Sequence, residues 1–336
     1  MRPLYIPLAA ALILILLLLM VTTPVNGESL SSLDACKDFA YSTEEDFLTA
    51  GPVPADGNPI ISDGDLLNRY HTVCARNREL LSAWDIADDL GLDAADVLDV
   101  QRELVAFSTE LDDPRGRFKA GDLLITNGAI IPNVALLSLF QVGRDLGLDA
   151  VHFIGAEEKI IAFALDAAQR EPSFWLNGQL VERLQRYNID IWFSTEGTEL
   201  SAATTQILDG YLLSARTGTV VVNQATLLPA TVPADLPNRG VDFGLDAVTT
   251  TRRGDRFLMR FSTEILYRKE PAFNDGDILR FGDGVEIHHS DLVAPFEPRA
   301  RFLGVDALYM HAEPPGFNVF LPWILRFFRG IAGGDQ

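Results

Sequence analysis

Residues 107–110 read Phe-Ser-Thr-Glu, and the same four residues return at 193–196 and 261–264, with Tyr41-Ser42-Thr43-Glu44 as an upstream variant. A tetrapeptide recurring this often in one chain marks an internal repeat, and a repeat decides the fold before any single element is read. Its companions recur as well. Gly64-Asp65-Leu66-Leu67, Gly121-Asp122-Leu123-Leu124 and Gly276-Asp277-Ile278-Leu279 share one pattern, and the third unit departs with Gly210-Tyr211-Leu212-Leu213. A polar residue then leads an apolar pair: Asn77 before Leu80-Leu81, Asn133 before Leu136-Leu137, Asn223 before Leu227-Leu228, His289 before Leu292-Val293. Each unit closes on Leu92-Asp93-Ala94, Leu148-Asp149-Ala150, Leu245-Asp246-Ala247 or Val305-Asp306-Ala307. Leu33-Asp34-Ala35 precedes the first unit, so the register begins and ends on one element.

Several stretches of the unit read as strands. Val105–Thr109, Ile189–Thr195 and Phe257–Thr263 mix aromatic and β-branched residues before turn residues. Asp122–Thr126 and Ile278–Phe281 run into Asn127-Gly128 and Gly282-Asp283-Gly284, turns suited to hairpins because Gly and Asn tolerate positive φ. Thr219–Val222 and Val285–His288 are the return strands, and Ala150–Ile154 and Ala307–His311 supply a further strand each. Helical turns are expected in Asn133–Leu146 and Arg76–Leu90. The expected fold is all-β with minor helix, a β-propeller-like assembly of four or five blades, since such a unit cannot cover both faces of its own sheet. A linear β-repeat array or paired sandwiches is the alternative. The units run about 33–94, 93–150, 149–247 and 246–307 inside a β-repeat domain at 28–312. The tetrapeptide serines stand 66, 86 and 68 residues apart. The long middle spacing reads either as a remnant unit at Phe163-Ala164-Leu165-Asp166 or as an insertion with a helix near Leu176–Tyr187.

The chain has 336 residues, a formal net charge of −20, and 48% hydrophobic and 22% charged content, which excludes disordered, collagen-like and polytopic membrane classes. So acidic a chain lacks the basic face that nucleic-acid binding needs. Arg2 precedes an apolar run, Leu12 to Met20, that reads with 1–27 as a cleaved signal peptide; the alternative is an N-terminal anchor. The expected location is therefore secreted or cell-surface, or membrane-anchored if that segment is kept. Cys36 and Cys74 fit an exported chain as one disulfide, the alternative being two buried free thiols. The stretch Phe317–Ile331 within the 313–336 tail is apolar and basic, and reads as an interfacial or sorting tail or as packing on the last unit. Membrane contact is expected only through these two ends.

Glu44, Glu110, Glu196 and Glu264 would take equivalent places on a ring, able to hold a cation or to act on carbohydrate if they converge. The favoured reading is structural, with Ser-Thr-Glu satisfying local backbone donors at a strand end. Asp93, Asp149, Asp246 and Asp306 are likewise read as turn-fixing acceptors, with calcium as the functional alternative. The histidines show no metal spacing, and no nucleophile elbow, phosphate loop or dinucleotide fingerprint is present, so no catalytic residue and no cofactor other than calcium is expected. These motifs resemble those of uncharacterised exported bacterial repeat proteins, in which Phe-Ser-type strands, Gly-Asp-Leu turns and Leu-Asp-Ala elements alternate; the resemblance spans Leu33 to Met310. The tail Val319-Phe320-Leu321-Pro322-Trp323-Ile324-Leu325-Arg326 resembles the Tyr-Leu-Pro-Leu-Val-type ending of secreted Chloroflexota proteins, from which Phe320 and Trp323 depart. The resemblance implies export and no transferable catalytic residue. The functional expectation is a non-catalytic exported scaffold that binds an extracellular ligand or surface component. The alternative is an extracellular propeller hydrolase or lyase working on carbohydrate through the repeated carboxylates.

Overall fold

In the computed structural model, which describes residues 32–200, 206–235, 240–253 and 256–311, the chain is mostly β. Four four-stranded antiparallel sheets carry it, with one two-stranded ribbon of β2 (Phe47–Leu48) and β3 (Ile60–Ile61). The second sheet is β6 (Ala94–Asp99), β7 (Leu104–Ser108), β8 (Leu123–Ile125) and β9 (Ala129–Ile131) in simple succession. The third repeats that order with β10 (Val151–Ile154), β11 (Asp190–Phe193), β12 (Leu212–Ser214) and β13 (Thr219–Val222). The fourth does so with β14 (Val248–Arg253), β15 (Arg256–Phe261), β16 (Ile278–Arg280) and β17 (Val285–Ile287). The first sheet is assembled from both ends of the described chain: β18 (Leu308–Met310) pairs antiparallel with β1 (Phe39–Tyr41), followed by β4 (Leu66–Asn68) and β5 (Thr72–Ala75).

The Leu-Asp-Ala element therefore opens a sheet instead of closing a unit. In the first sheet this place is filled by the last copy, with Phe39 opposite Met310 and Tyr41 opposite Leu308. Leu33-Asp34-Ala35 lies in a short 3-10 turn, Ser32–Cys36. That turn is tied to β5 by the Cys36–Cys74 disulfide, whose Cα atoms stand 5.8 Å apart. Closing a loop of 38 residues stabilises the fold by about 4 kcal/mol in the chain-entropy model.

Both β6 and β7 are buried along their whole length, so each sheet needs cover on two sides. Four separate cores supply it. Phe107 and Val105 of the second sheet pack with Ala40 and Leu66 of the first. Ala106 and Leu123 pack with Phe193 and Ile191 of the third, and Trp192 and Leu212 with Phe261 and Leu279 of the fourth. Ile278 and Leu292 complete the series against Tyr41 and Leu308 of the first sheet. Each fully buried side chain of this kind contributes about 1.5–3 kcal/mol relative to exposure. The opening strands follow the same cyclic order, β6 touching β10, β10 touching β14, β14 touching β18 and β18 touching β6.

The repeated residues have separable roles. The Ser108, Ser194 and Ser262 hydroxyls donate to the carbonyls of Leu148, Leu245 and Val305, each in the next sheet, at 2.6–2.9 Å. Thr43, Thr109, Thr195 and Thr263 donate to the carbonyl two residues ahead and shape the turn. Asp65, Asp122 and Asp277 accept two backbone N–H groups each, one from their own turn and one from the residue opening the next helical turn. These are the turn-fixing aspartates. The Asn133 side chain donates to Gly147 O at 2.7 Å and accepts from Leu146 N at 3.0 Å, and Asn77 does the same with Gly91 and Leu90. In the third unit the task belongs to Gln224, bonded to Gly244 O and Phe243 N, while Asn223 caps the helical turn.

The long middle spacing is an insertion. β10 pairs directly with β11, and helices α1 (Glu157–Ala167) and α2 (Gln179–Tyr187) lie between them in sequence. Phe163-Ala164-Leu165-Asp166 is part of α1, not a remnant strand. Among the described residues no helix is long and apolar enough to cross a membrane. The apolar run at 1–27 and the stretch Phe317–Ile331 lie outside the described residues. Asn133 is fully enclosed, so Asn133→Ala leaves a buried amide and a buried carbonyl without partners; urea unfolding is expected to show a loss of about 2–4 kcal/mol.

Candidate functional site

The strand order brings the repeated acids to corresponding ends of their sheets. Each aspartate stands just ahead of an opening strand, and each glutamate just beyond the antiparallel neighbour, so both families reach the same end of their sheet. The glutamate is seated against the glycine two residues before the aspartate. A Cβ at Gly91, Gly147, Gly244 or Gly304 would lie 2.0–2.6 Å from Glu110, Glu196, Glu264 or Glu44. These glycines also hold φ between +61° and +80°, so both space and backbone demand glycine.

Asp149, Asp246 and Asp306 are buried, whereas the four glutamates are exposed, which makes a funnel with aspartates at its floor and glutamates at its mouth. One carboxylate oxygen of each of Asp93, Asp149, Asp246 and Asp306, the Oδ2 atom, is buried and accepts no hydrogen bond. The expectation that these aspartates fix turns by accepting backbone donors is thus not met at Oδ2. Asp149, Asp246 and Glu264 offer oxygens that all lie within 4.8 Å of one another. The four aspartates are held well above the usual carboxylate range, first by desolvation and then by neighbouring carboxylates. Asp93 lies close to Glu196 and Asp149 close to Glu264, so like carboxyls crowd one another across neighbouring sheets. Glu44 and Glu110 are pushed up to about 7, first by desolvation of their carboxyls among the surrounding chain. Like charges add to this: Asp275, Glu264 and Glu45 around Glu44, and Asp63, Glu44, Asp89 and Asp46 around Glu110.

The other ends of the opening strands border a cavity of about 1210 Å³. Its floor is a chain of side chains crossing three sheets. Asp96 Oδ2 accepts Phe153 N–H at 2.7 Å and stands 3.3 Å from His152 Nδ1. His152 Nε2 lies 2.8 Å from Thr250 Oγ1 and accepts the Thr250 N–H at 3.2 Å. The order acid, imidazole, hydroxyl is that of a nucleophile relay. Here the Thr250 amide already occupies the Nε2 lone pair that a general base would use, so the three residues clamp β6, β10 and β14 together. Met310 N–H completes the circuit by donating to Thr249 Oγ1. One wall of the cavity is the first turn of α1, with Glu157, Ile160 and Ile161.

The repeat alone singled out both families of acids, and the fold gathers them. It did not single out the glycines or the far cavity. The signal for the cavity floor was present: Asp96, His152, Thr249 and Tyr309 each fall three residues after a Leu-Asp-Ala aspartate or its equivalent, polar where a core strand should be apolar. Set against known proteins, the chain matches no family model, no curated protein and no solved structure.

The raised acids fix a pH dependence. Glu44 and Glu110 titrate near 7 when folded and near 4.5 otherwise, so between those values the folded state holds more protons and stability falls as pH rises. In chelated buffer the melting temperature is expected to climb as pH drops from about 8 to about 5.5. The double variant Glu44→Gln, Glu110→Gln should flatten that slope.

Proposed function

We propose that the protein is an exported, non-catalytic binding scaffold built as a four-bladed β-propeller, with its ligand in the cavity floored by Asp96, His152 and Thr250. The pairing of β18 with β1 and the cyclic series of cores support the propeller over a linear array. The disulfide is compatible with an extracellular compartment, and the apolar run after Arg2 supports export.

The observation that carries the binding site is the break in the repeat. Of the four sheets, the third alone carries the two-helix insertion, and that insertion walls the cavity. The lining offers both signs of charge, Asp38 and Glu157 against Lys37 and Arg216, with Tyr309 and Ile161 as apolar surface. A balanced polar wall beside apolar faces suits a neutral, hydroxyl-rich ligand, an oligosaccharide, better than an ion. The alternative of carbohydrate cleavage by the repeated carboxylates has weaker support.

An array of neutral oligosaccharides, followed by calorimetry on the full chain, tests this reading. Saturable binding is expected, weakened about tenfold by Tyr309→Ala or Asn188→Ala, the loss of roughly one good contact. Binding that both substitutions leave untouched, or no binding to any neutral glycan, would overturn it.

A further inference from the structure

The carboxylate funnel poses a physical problem at the end of the ring opposite the cavity. Asp149, Asp246 and Asp306 are each more than nine-tenths buried with an Oδ2 that has no hydrogen-bond donor, and Asp149 and Asp246 bring oxygens within 4.8 Å of each other. A desolvated carboxylate oxygen without a partner costs several kcal/mol unless a proton or a cation meets it. The side chains that act most strongly on these aspartates are all carboxylates, with no arginine or lysine among them. The counter-charge must come from outside the chain.

We infer that the funnel is a divalent-cation site, that Asp149, Asp246 and Glu264 form its best-made ligand set, and that the cation it suits is calcium. A cation bonded at about 2.4 Å to two oxygens bridges up to about 4.8 Å, and the oxygens of this trio stand within that span. The ligands are all hard oxygen, with no imidazole or thiolate, which disfavours zinc and copper. Three carboxylates, mono- or bidentate, with water to complete the shell fit the flexible six-to-eight-oxygen coordination that calcium takes, whereas magnesium needs a stricter octahedron.

The trio also bridges two sheets. Asp149 opens the third sheet, while Asp246 and Glu264 belong to the fourth. A second contact of the same kind lies between neighbouring sheets, where Asp93 of the second is within hydrogen-bonding reach of Glu196 of the third. Asp149 comes from one sheet and Asp246 and Glu264 from its neighbour, so a bound cation fastens the third sheet to the fourth.

The inference stands apart from the ligand proposed for the cavity and is tested without it. Full-length protein stripped with chelator is titrated with calcium chloride by calorimetry and melted with and without the ion. Saturable binding and a rise in melting temperature of about 5 °C at a hundredfold excess over Kd are expected, reversed by chelator. The double variant Asp149→Asn, Asp246→Asn should lose at least tenfold in affinity. Without calcium it should melt above the stripped wild type, because two crowded charges are gone. Glu264→Gln, at the exposed mouth, gives a milder loss and guards against misfolding of the double variant. Glu182→Gln, on the exposed side of α2, should change nothing. Equal calcium shifts in wild type, Asp149→Asn, Asp246→Asn and Glu264→Gln would mean diffuse screening of an acidic surface and would overturn the site, as would no shift at all.

Discussion

The structure depends on the need to cover sheets that are apolar on both faces. A four-stranded sheet such as β6–β9 buries strands whole, and one neighbour leaves half of that surface wet. Stacking sheets in a row leaves two uncovered faces at the ends. A cyclic order leaves none, and the fourth core, between Ile278, Leu292, Tyr41 and Leu308, is where that cost is avoided. The pairing of β18 with β1 follows from the same need, since the first sheet lacks an opening strand until the last segment arrives.

Cyclic order has an electrostatic consequence. Whatever a repeat places near the axis meets its own copies there. A repeated serine reaching a carbonyl of the next sheet is harmless and binds neighbours together. A repeated carboxylate meets like charge, and Asp93, Asp149, Asp246 and Asp306 are accordingly pushed above the usual carboxylate range, first by burial and then by neighbouring carboxylates. The glycines beside the glutamates leave the space in which those side chains lie, since a Cβ there would collide with them.

Departures from the repeat carry information of another kind. Gln224 takes over the bonds that Asn77 and Asn133 make, a change of residue with the geometry kept. His289 keeps half of them: its Nε2 accepts Leu303 N–H, and burial holds its ring down to about 4. The α1–α2 insertion changes the geometry itself, at one sheet and beside one cavity.

The repeat, the strand-forming runs, the hairpin turns and the identity of both acidic families were legible in the sequence, because each is a local pattern of residues at fixed offsets. The disulfide partners were legible too, there being two cysteines to join. The sheet boundary was not: Leu-Asp-Ala closes a unit by eye but opens a sheet in space, since pairing of β18 with β1 joins residues some 270 positions apart. Nor could spacing say which aspartate fixes a turn, as Asp122 does, and which faces its copies, as Asp149 does; both are acids beside a glycine and a leucine. Local sequence determined what each unit is made of. The grouping of Asp149, Asp246 and Glu264, the cavity floor and the pairing of β18 with β1 were decided by contacts between distant units, where only the assembled fold sets which like groups must share one space.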